Sequence, residues 1–176
     1  MRPKDQPNDK GRRSRIVECA AELIAEEGIA KVTARRVAAL AEVPVGSVSY
    51  YFPAQKDLLV EAAHMIAQMR REELDEWGAE VVPDQVKERL SELIVRHLNE
   101  GRSLTIASYE LTFAGLRDEA LKESALLVAN SLEACLARFM SADEARSLAV
   151  LADGVQFTLL MRGGRVTVED VMHYFA

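Results

Sequence analysis

Apolar positions in this chain recur at helical spacing along almost its whole length, and no segment alternates with the period of two that a strand requires. The first predicted helix runs from about residue 12 to 27, with Ile16, Leu23 and Ile24 on one apolar face. Gly28 follows and predicts the end of this helix, because glycine readily adopts the left-handed conformation that terminates helices.

Two short helices and one long helix are predicted next. Thr33 caps a helix of about nine residues, because its hydroxyl oxygen can accept a hydrogen bond from a backbone N–H of the first turn. A tight break at 41–43 separates this helix from another over 44–51, which can begin with proline since the first turn does not use that N–H. A long helix then covers about 54–77.

Beyond residue 83, glycine, proline and capping residues divide the chain into five further helices. The third of these is expected to reach about Met140 and the fourth about Met161. The pattern predicts an all-α fold, with a three-helix helix-turn-helix domain over 1–53 and a helical bundle over 54–176. The expected starts of the five helices are Asp84, Ser103, Asp118, Asp143 and Thr167, the last with a capping-box-like partner in Asp170.

Residues 145–161 are apolar on nearly every face, unlike an exposed amphipathic helix. Such a helix is expected to be buried between its own domain and a second surface, and another copy of the same chain is the simplest candidate for that surface. We therefore expect a homodimer that forms through the late helices. The candidate interface residues are Leu132, Leu148, Leu151, Val155 and Leu159.

Composition narrows the class of protein. Of the 176 residues, 49 % are hydrophobic and 28 % are charged, which is typical of folded globular chains. No apolar run reaches the roughly 20 residues that span a bilayer, and the polar N-terminus lacks the apolar stretch of a secretory signal. We expect a cytoplasmic protein, in which Cys19 and Cys135 are small buried side chains rather than a disulfide.

Charge is distributed unevenly along the chain. Residues 1–53 carry nine Lys/Arg against seven Asp/Glu, whereas residues 54–176 carry 13 against 21, within a net charge of −6. A mildly basic N-terminal part followed by an acidic remainder favours a protein whose N-terminal part binds phosphates. The N-terminal segment is predicted to be a flexible basic tail that either reaches the DNA or is merely solvated; its basic residues include Lys10, Arg12, Arg13 and Arg15.

Residues 33–52, TARRVAALAEVPVGSVSYYF, have the spacing of a helix-turn-helix, whose second helix can lie in the DNA major groove. Val37, Ala38 and Val48 would pack inward. The outward positions have small side chains that allow close approach to DNA and a tyrosine pair that can donate to phosphates. The outward residues are Val45, Gly46, Ser47, Ser49 and Tyr50, with Tyr51 beside them.

From about residue 12 to 59 the sequence resembles the DNA-binding domain of the TetR family of bacterial regulators. The resemblance lies in IAEEGIAKVTARRVAALAEVPVGSVSYYFPAQKDLL. It implies a homodimeric repressor that binds a palindromic operator and is released by a small molecule. It also implies that Thr33 approaches a phosphate, that Arg35 contacts a base or phosphate, and that Tyr51 adds a phosphate contact. Lys56 is a further candidate DNA contact.

Three positions depart from the family pattern. Glu42 replaces the usual turn glycine and must therefore carry any positive φ at that position. Ser49 replaces a common tyrosine, which removes one aromatic contact. Gln55 stands where a lysine is frequent, and Lys56 follows it.

A ligand pocket in such a protein would lie among the later helices. Polar side chains within apolar helical stripes are candidate ligand contacts, although each is also explained as a satisfied core or interface group. The candidates are His64, His97, Tyr109, Glu110, Phe113, Asn130 and Gln156.

An enzyme and a purely architectural or protein-binding module are the alternatives to a regulator. An enzyme is disfavoured, since the sequence has no glycine-rich phosphate loop, no metal-ligand spacing and no nucleophile elbow, and we expect neither a cofactor nor a metal. A purely architectural or protein-binding helical module is the second alternative. Sequence-specific DNA binding in the absence of ligand distinguishes a regulator from such a module.

Overall fold

The computed structural model describes residues 10–175, and within these residues the protein is helical with no strand. None of the described helices is long and apolar enough to cross a membrane. Short 3₁₀ turns occur at Ile29–Lys31, Pro83–Gln85 and Glu119–Leu121. The α-helices are α1 (Lys10–Glu27), α2 (Ala34–Leu40), α3 (Val45–Tyr51), α4 (Gln55–Glu80), α5 (Val86–Asn99), α6 (Arg102–Gly115), α7 (Lys122–Leu136), α8 (Ala142–Arg162) and α9 (Val168–Phe175).

The chain divides into two compact units, one ending at Ile66 and the other beginning at Ala67. This division lies within α4, whereas the boundary predicted from sequence, between residues 53 and 54, precedes that helix. The first turns of α4 belong to the first unit because Leu58, Ala62 and Ile66, at successive i, i+4 positions, are all buried.

The first unit packs α1, α2 and α3 around the side chains that helical spacing places inward. Ile16, Val37 and Val48 are each no more than 1 % exposed. The hydroxyl oxygen of Thr33 accepts a hydrogen bond from the backbone N–H of Arg36 at 3.3 Å. The predicted cap of α2 is thereby confirmed.

The turn between α2 and α3 is a Schellman motif with glutamate at the position that usually holds glycine. Glu42 has a φ of 56°, so the positive φ expected from the resemblance falls on a non-glycine residue. Its N–H donates to the carbonyl of Ala39 at 3.3 Å, and the N–H of Val43 donates to the carbonyl of Ala38 at 2.9 Å. The left-handed conformation costs a non-glycine residue roughly 1 kcal/mol, which these hydrogen bonds and the packing of both helices offset.

The second unit is a bundle of α5 to α9 with the remainder of α4. Leu90, Leu136, Ala152 and Val171 come from four different helices and are nearly fully buried in one cluster. The unit therefore has its own hydrophobic core, independent of the helix-turn-helix.

The ends of the later helices follow their capping residues. The N–H of Thr167 donates to Asp170 Oδ2 at 2.8 Å, and the N–H of Asp170 donates back to Thr167 Oγ1 at 3.3 Å, which confirms the predicted cap of α9. The helix expected over 118–140 is shorter than predicted. Asp118 Oδ1 accepts the N–H of Ala120 at 3.0 Å and caps a 3₁₀ turn, so the α-helix begins only at Lys122.

Candidate nucleic-acid interface and ligand cavity

The exposed face of α3 is the surface predicted to meet DNA. Val48 lies on the opposite face, is buried and anchors the helix. Of the predicted contacts on α3, Ser47 and Tyr51 are half-buried and the others are exposed: Val45, Gly46, Ser49 and Tyr50. The structure thus brings these residues onto one accessible helix.

The tyrosine pair and Gly46 define how this face can meet a partner. Tyr50 is 72 % exposed, and its ring meets that of Tyr51 edge-on at 5.2 Å between centroids. A phenolic hydroxyl held in this way can donate to a phosphate oxygen. No atom lies within 4 Å of the position that a Cβ on Gly46 would occupy, so the fold does not require glycine there and the surface is open.

Three further predicted contacts lie on α2 and at the start of α4. Thr33 and Arg35 are exposed at the N-terminal end of α2, and Lys56 is exposed in the first turn of α4. The neighbouring Arg36 forms an ion pair with Glu27. Of the two adjacent arginines, therefore, Arg36 serves the fold while Arg35 lies on the surface.

The basic residues before α2 are only partly described, because residues 1–9 of the predicted tail lie outside the described residues. Arg13 forms an ion pair with Glu61, and its guanidinium lies 4.9 Å from the centre of the Phe52 ring. Arg15 Nε donates to a backbone carbonyl at the end of α2 at 3.2 Å. These two arginines stabilise the first unit, a role that the sequence did not predict.

The second unit contains a cavity of about 480 Å³, which is within the range that accepts drug-sized organic molecules. Residues from α4 to α8 line it. Its walls are mainly apolar, with polar groups confined to a few positions. The apolar and aromatic lining includes Leu74, Leu90, Leu93, Ile94, Leu132, Ala152, Tyr109, Phe113 and Phe157.

Four polar side chains form a chain of hydrogen bonds along one wall. The hydroxyl of Tyr109 donates to Asp153 Oδ1 at 3.0 Å, and Gln156 Nε2 donates to the same hydroxyl at 3.4 Å. Gln156 Oε1 in turn accepts from His97 Nδ1 at 3.0 Å. Burial, together with the charge of Asp153, raises the pKa of Tyr109 well above its usual range, so the phenol remains a donor.

A contact of His97 leads from these hydrogen bonds to a buried arginine on α4. His97 Nε2 lies 3.1 Å from Glu73 Oε1, a contact that is not a hydrogen bond. Glu73 Oε2 accepts from Arg70 NH1 at 2.8 Å. Burial opposes the charged form of Glu73, but the nearby His97 ring and Arg70 guanidinium outweigh it and lower the pKa of Glu73 to about 2.

Arg70 and Glu73 were not among the predicted site residues. A signal was present, since Arg70 falls four residues after Ile66 and four before Leu74, on a stripe that is otherwise apolar. A charged residue on such a stripe indicates a buried charge that needs partners.

The seven predicted ligand contacts separate into two groups. His97, Tyr109, Phe113 and Gln156 line the cavity together. Glu110 and Asn130 are exposed and do not line it, while His64 lies in the first unit. Helical periodicity does not reveal which neighbouring helix a polar side chain meets, so it could not separate the two groups.

The predicted interface residues lie mostly on the inner face of the late helices. Leu148, Val155 and Leu159 are buried in the core cluster of the second unit, and Leu132 packs against it; only Leu151 is exposed. The outer face of α8 carries a stripe at positions i, i+4, i+7 and i+11, which we call the α8 stripe: Val150, Gly154, Phe157 and Met161.

Comparison with known proteins supplies the family. Residues 16–63 match the family model described as bacterial regulatory proteins, tetR family. A transcriptional regulator from Streptomyces coelicolor A3(2) is 27 % identical with a TM-score of 0.79, and the match covers 93 % of this chain and 95 % of that one. A comparison with curated proteins gave no match.

Two further solved structures agree in both units. A member of the TetR family from Streptomyces coelicolor A3 is 29 % identical with a TM-score of 0.78, covering 93 % of this chain and 96 % of that one. The multidrug binding protein EbrR in complex with ethidium is 29 % identical with a TM-score of 0.76, covering 92 % and 95 %. The chain therefore carries the DNA-binding domain of the tetR family over residues 16–63, and across both units it shares the fold of solved transcriptional regulators, one of them a member of the TetR family.

Proposed function

We propose that the protein is a cytoplasmic homodimeric repressor that binds a palindromic operator through α3 and leaves it when a small molecule fills the cavity. The observation that carries this proposal is the course of α4, which is continuous from Gln55 to Glu80. Arg70 and Leu74 of this helix line the cavity, while its earlier residues are buried in the first unit. A molecule that fills the cavity therefore contacts a helix whose earlier residues belong to the DNA-binding unit.

The α8 stripe supports the homodimer. Val150 is 69 % exposed and Met161 is 72 % exposed, and Phe157 lies between them on the same face. Large apolar side chains that follow one another along a helix face favour association, because burying them removes apolar area from water. A symmetric dimer would present two α3 helices to half-sites about one DNA turn apart.

A small-molecule effector is supported by the cavity and by EbrR. This similar protein has been crystallised with proflavin, ethidium and malachite green. A cavity of about 480 Å³ with a mainly apolar lining is suited to organic molecules of that size. We therefore place the effector site in the second unit.

The variant Met161→Asp tests the dimer and its link to DNA binding. Met161 is exposed in the protomer and does not line the cavity, so the variant should fold, but it would place an unpaired charge in the proposed interface. We expect sedimentation to show monomers and the affinity for a palindromic site to fall by at least about tenfold, because the two half-sites are no longer bound together. Val82→Asp, at an exposed position before α5, is the control. A Met161→Asp dimer with unchanged affinity would contradict the proposed interface.

A further inference from the structure

We propose that the cavity selects flat aromatic cations, with Asp153 supplying the counter-charge and Tyr109 and Phe157 supplying the ring walls. This inference rests on the proposed ligand-sensing function and names the chemical class of the ligand. The residues that carry it belong to α6 and α8 of the second unit.

The basic group at one end of the cavity is already engaged by the protein. Arg70, which is 7 % exposed, donates through Nε to Ser108 at 3.1 Å, through NH2 to Thr105 at 2.8 Å and through NH1 to Glu73 at 2.8 Å. All three guanidinium nitrogens therefore have partners within the unit. An anionic ligand would have to displace Glu73 from this arginine, which makes Arg70 a poor anion site.

The carboxylates that line the cavity are not equivalent. Glu133 is paired with Arg146, with Oε1 and Nε 3.3 Å apart. Asp153 accepts the hydroxyl of Tyr109 and has no cationic partner among the residues that the structure describes. The lining thus contains one carboxylate whose charge the described chain does not neutralise, and a cation in the cavity would supply the missing partner.

The aromatic walls lie beside this carboxylate. The rings of Tyr109 and Phe157 meet edge to face, 5.3 Å apart between centroids with an interplanar angle of 74°. Phe113, also on the lining, is 54 % exposed and free to pack on a ligand. Ring faces attract cations and stack on flat aromatic molecules. The charge of Asp153 and the aromatic walls therefore both favour flat aromatic cations.

The hydrogen bonds of Tyr109 hold this arrangement in place. Its hydroxyl donates to the backbone carbonyl of Asp153 at 3.2 Å as well as to the carboxylate, and it accepts from Gln156. The carboxylate is thereby fixed beside the ring that forms part of the wall. A cation needs to reorganise little of the protein on entering.

Three fluorescent probes test this inference in the absence of DNA: ethidium as the cation, N-phenyl-1-naphthylamine as a neutral aromatic, and 8-anilinonaphthalene-1-sulfonate as its anionic counterpart. We expect the full-length protein to bind ethidium most tightly. Asp153→Asn retains an acceptor for Tyr109 but removes the charge, and should weaken ethidium binding by about fivefold, the scale of an ion pair at an exposed site. It should leave the neutral probe within about twofold.

Glu169→Gln, which removes an exposed charge on α9 outside the cavity, is the matched control and should change none of the three affinities. A second variant, Phe113→Leu, keeps the apolar character but removes a ring of the cavity lining outside the α8 stripe, and should weaken ethidium more than the neutral probe. Tighter binding of the neutral or anionic probe, or ethidium affinity unaffected by Asp153→Asn, would overturn cation selectivity and leave ligand sensing standing. Failure of all three probes to bind would overturn the effector site itself.

Discussion

Within the helix-turn-helix, the glutamate Glu42 occupies a turn position that usually holds glycine, and the glycine Gly46 lies in a helix, where glycine is disfavoured. Glu42 occupies the left-handed turn position where glycine would be unstrained. Gly46 lies inside α3, where glycine weakens a helix and where no neighbouring atom would meet a Cβ. The turn is thus held by its hydrogen bonds, while the small residue stands on the face proposed to approach DNA.

The variant Gly46→Ala tests separately how Gly46 affects the stability of α3 and how it affects the approach of DNA. In the free protein it should raise the free energy of unfolding by about 0.5–1 kcal/mol, because alanine is the better helix former and meets no atom. Affinity for the operator should nevertheless fall, since the added methyl group lies on the side proposed to face the major groove. Denaturant unfolding and DNA titration measure the two effects separately, and a variant that gains stability without losing affinity would show that the DNA does not approach this backbone.

At the scale of single residues, a feature can be predicted from sequence when the residues that fix it lie close together in the chain. The cap at Thr33 depends on residues within one turn of helix and could be predicted, whereas the positive φ of Glu42 was expected only from the resemblance to the family. The ion pairs of Arg13 with Glu61 and of Arg36 with Glu27 join different helices. Such pairs depend on how helices pack, which periodicity does not specify.

Among the elements, α4 carries a buried arginine and its carboxylate partner within the second unit. Arg70 is buried, and Glu73 connects it to His97 of α5. The pKa of Glu73 is lowered from 4.5 to about 2. Because the folded state holds this carboxyl group deprotonated more strongly than the unfolded state does, its stabilising contribution is present above pH 4.5 and fades as the pH falls toward 2.

Replacement of Glu73 by Gln tests this contribution. At pH 7 the variant should lose on the order of 2–3 kcal/mol of unfolding free energy, since Arg70 also loses its charged partner. The difference from the native chain should shrink between pH 4.5 and about 2, when the native carboxylate is itself protonated. Urea unfolding across this range measures it, with Glu76→Gln, an exposed position on the same helix, as control. A difference independent of pH would show that Glu73 acts by shape rather than by charge.

The element α8 shows what an apolar pattern can and cannot predict. Its uniformly apolar sequence indicated burial on more than one side, and the structure buries one side in the core of its own unit. The pattern could not say which apolar residues face that core, because every face is apolar. Leu148, Val155 and Leu159 lie inward, so the apolar residues of α8 that are left exposed for a second copy are Leu151 and those of the α8 stripe.

For the whole molecule, the fold class and the helix-turn-helix could be predicted because each depends on spacing within short segments. The cavity could be predicted only as far as His97, Tyr109, Phe113 and Gln156. Its charged end at Arg70 and the carboxylate of Asp153, which has no cationic partner among the described residues, arise where several helices meet. The proposed release from DNA depends on these contacts between helices and on α4, which is continuous from one unit to the other.

Selection of binding sites from random double-stranded DNA by the ligand-free protein tests the central claim most directly. The account predicts an enriched palindrome whose half-sites are centred about 10 base pairs apart, since a two-fold dimer places two α3 helices in successive major grooves. It further predicts that the variant Tyr50→Ala enriches no such sequence, whereas Tyr174→Phe, on α9, enriches the same one. Recovery of DNA without a shared sequence, or of the same palindrome by the Tyr50 variant, would contradict operator recognition through α3.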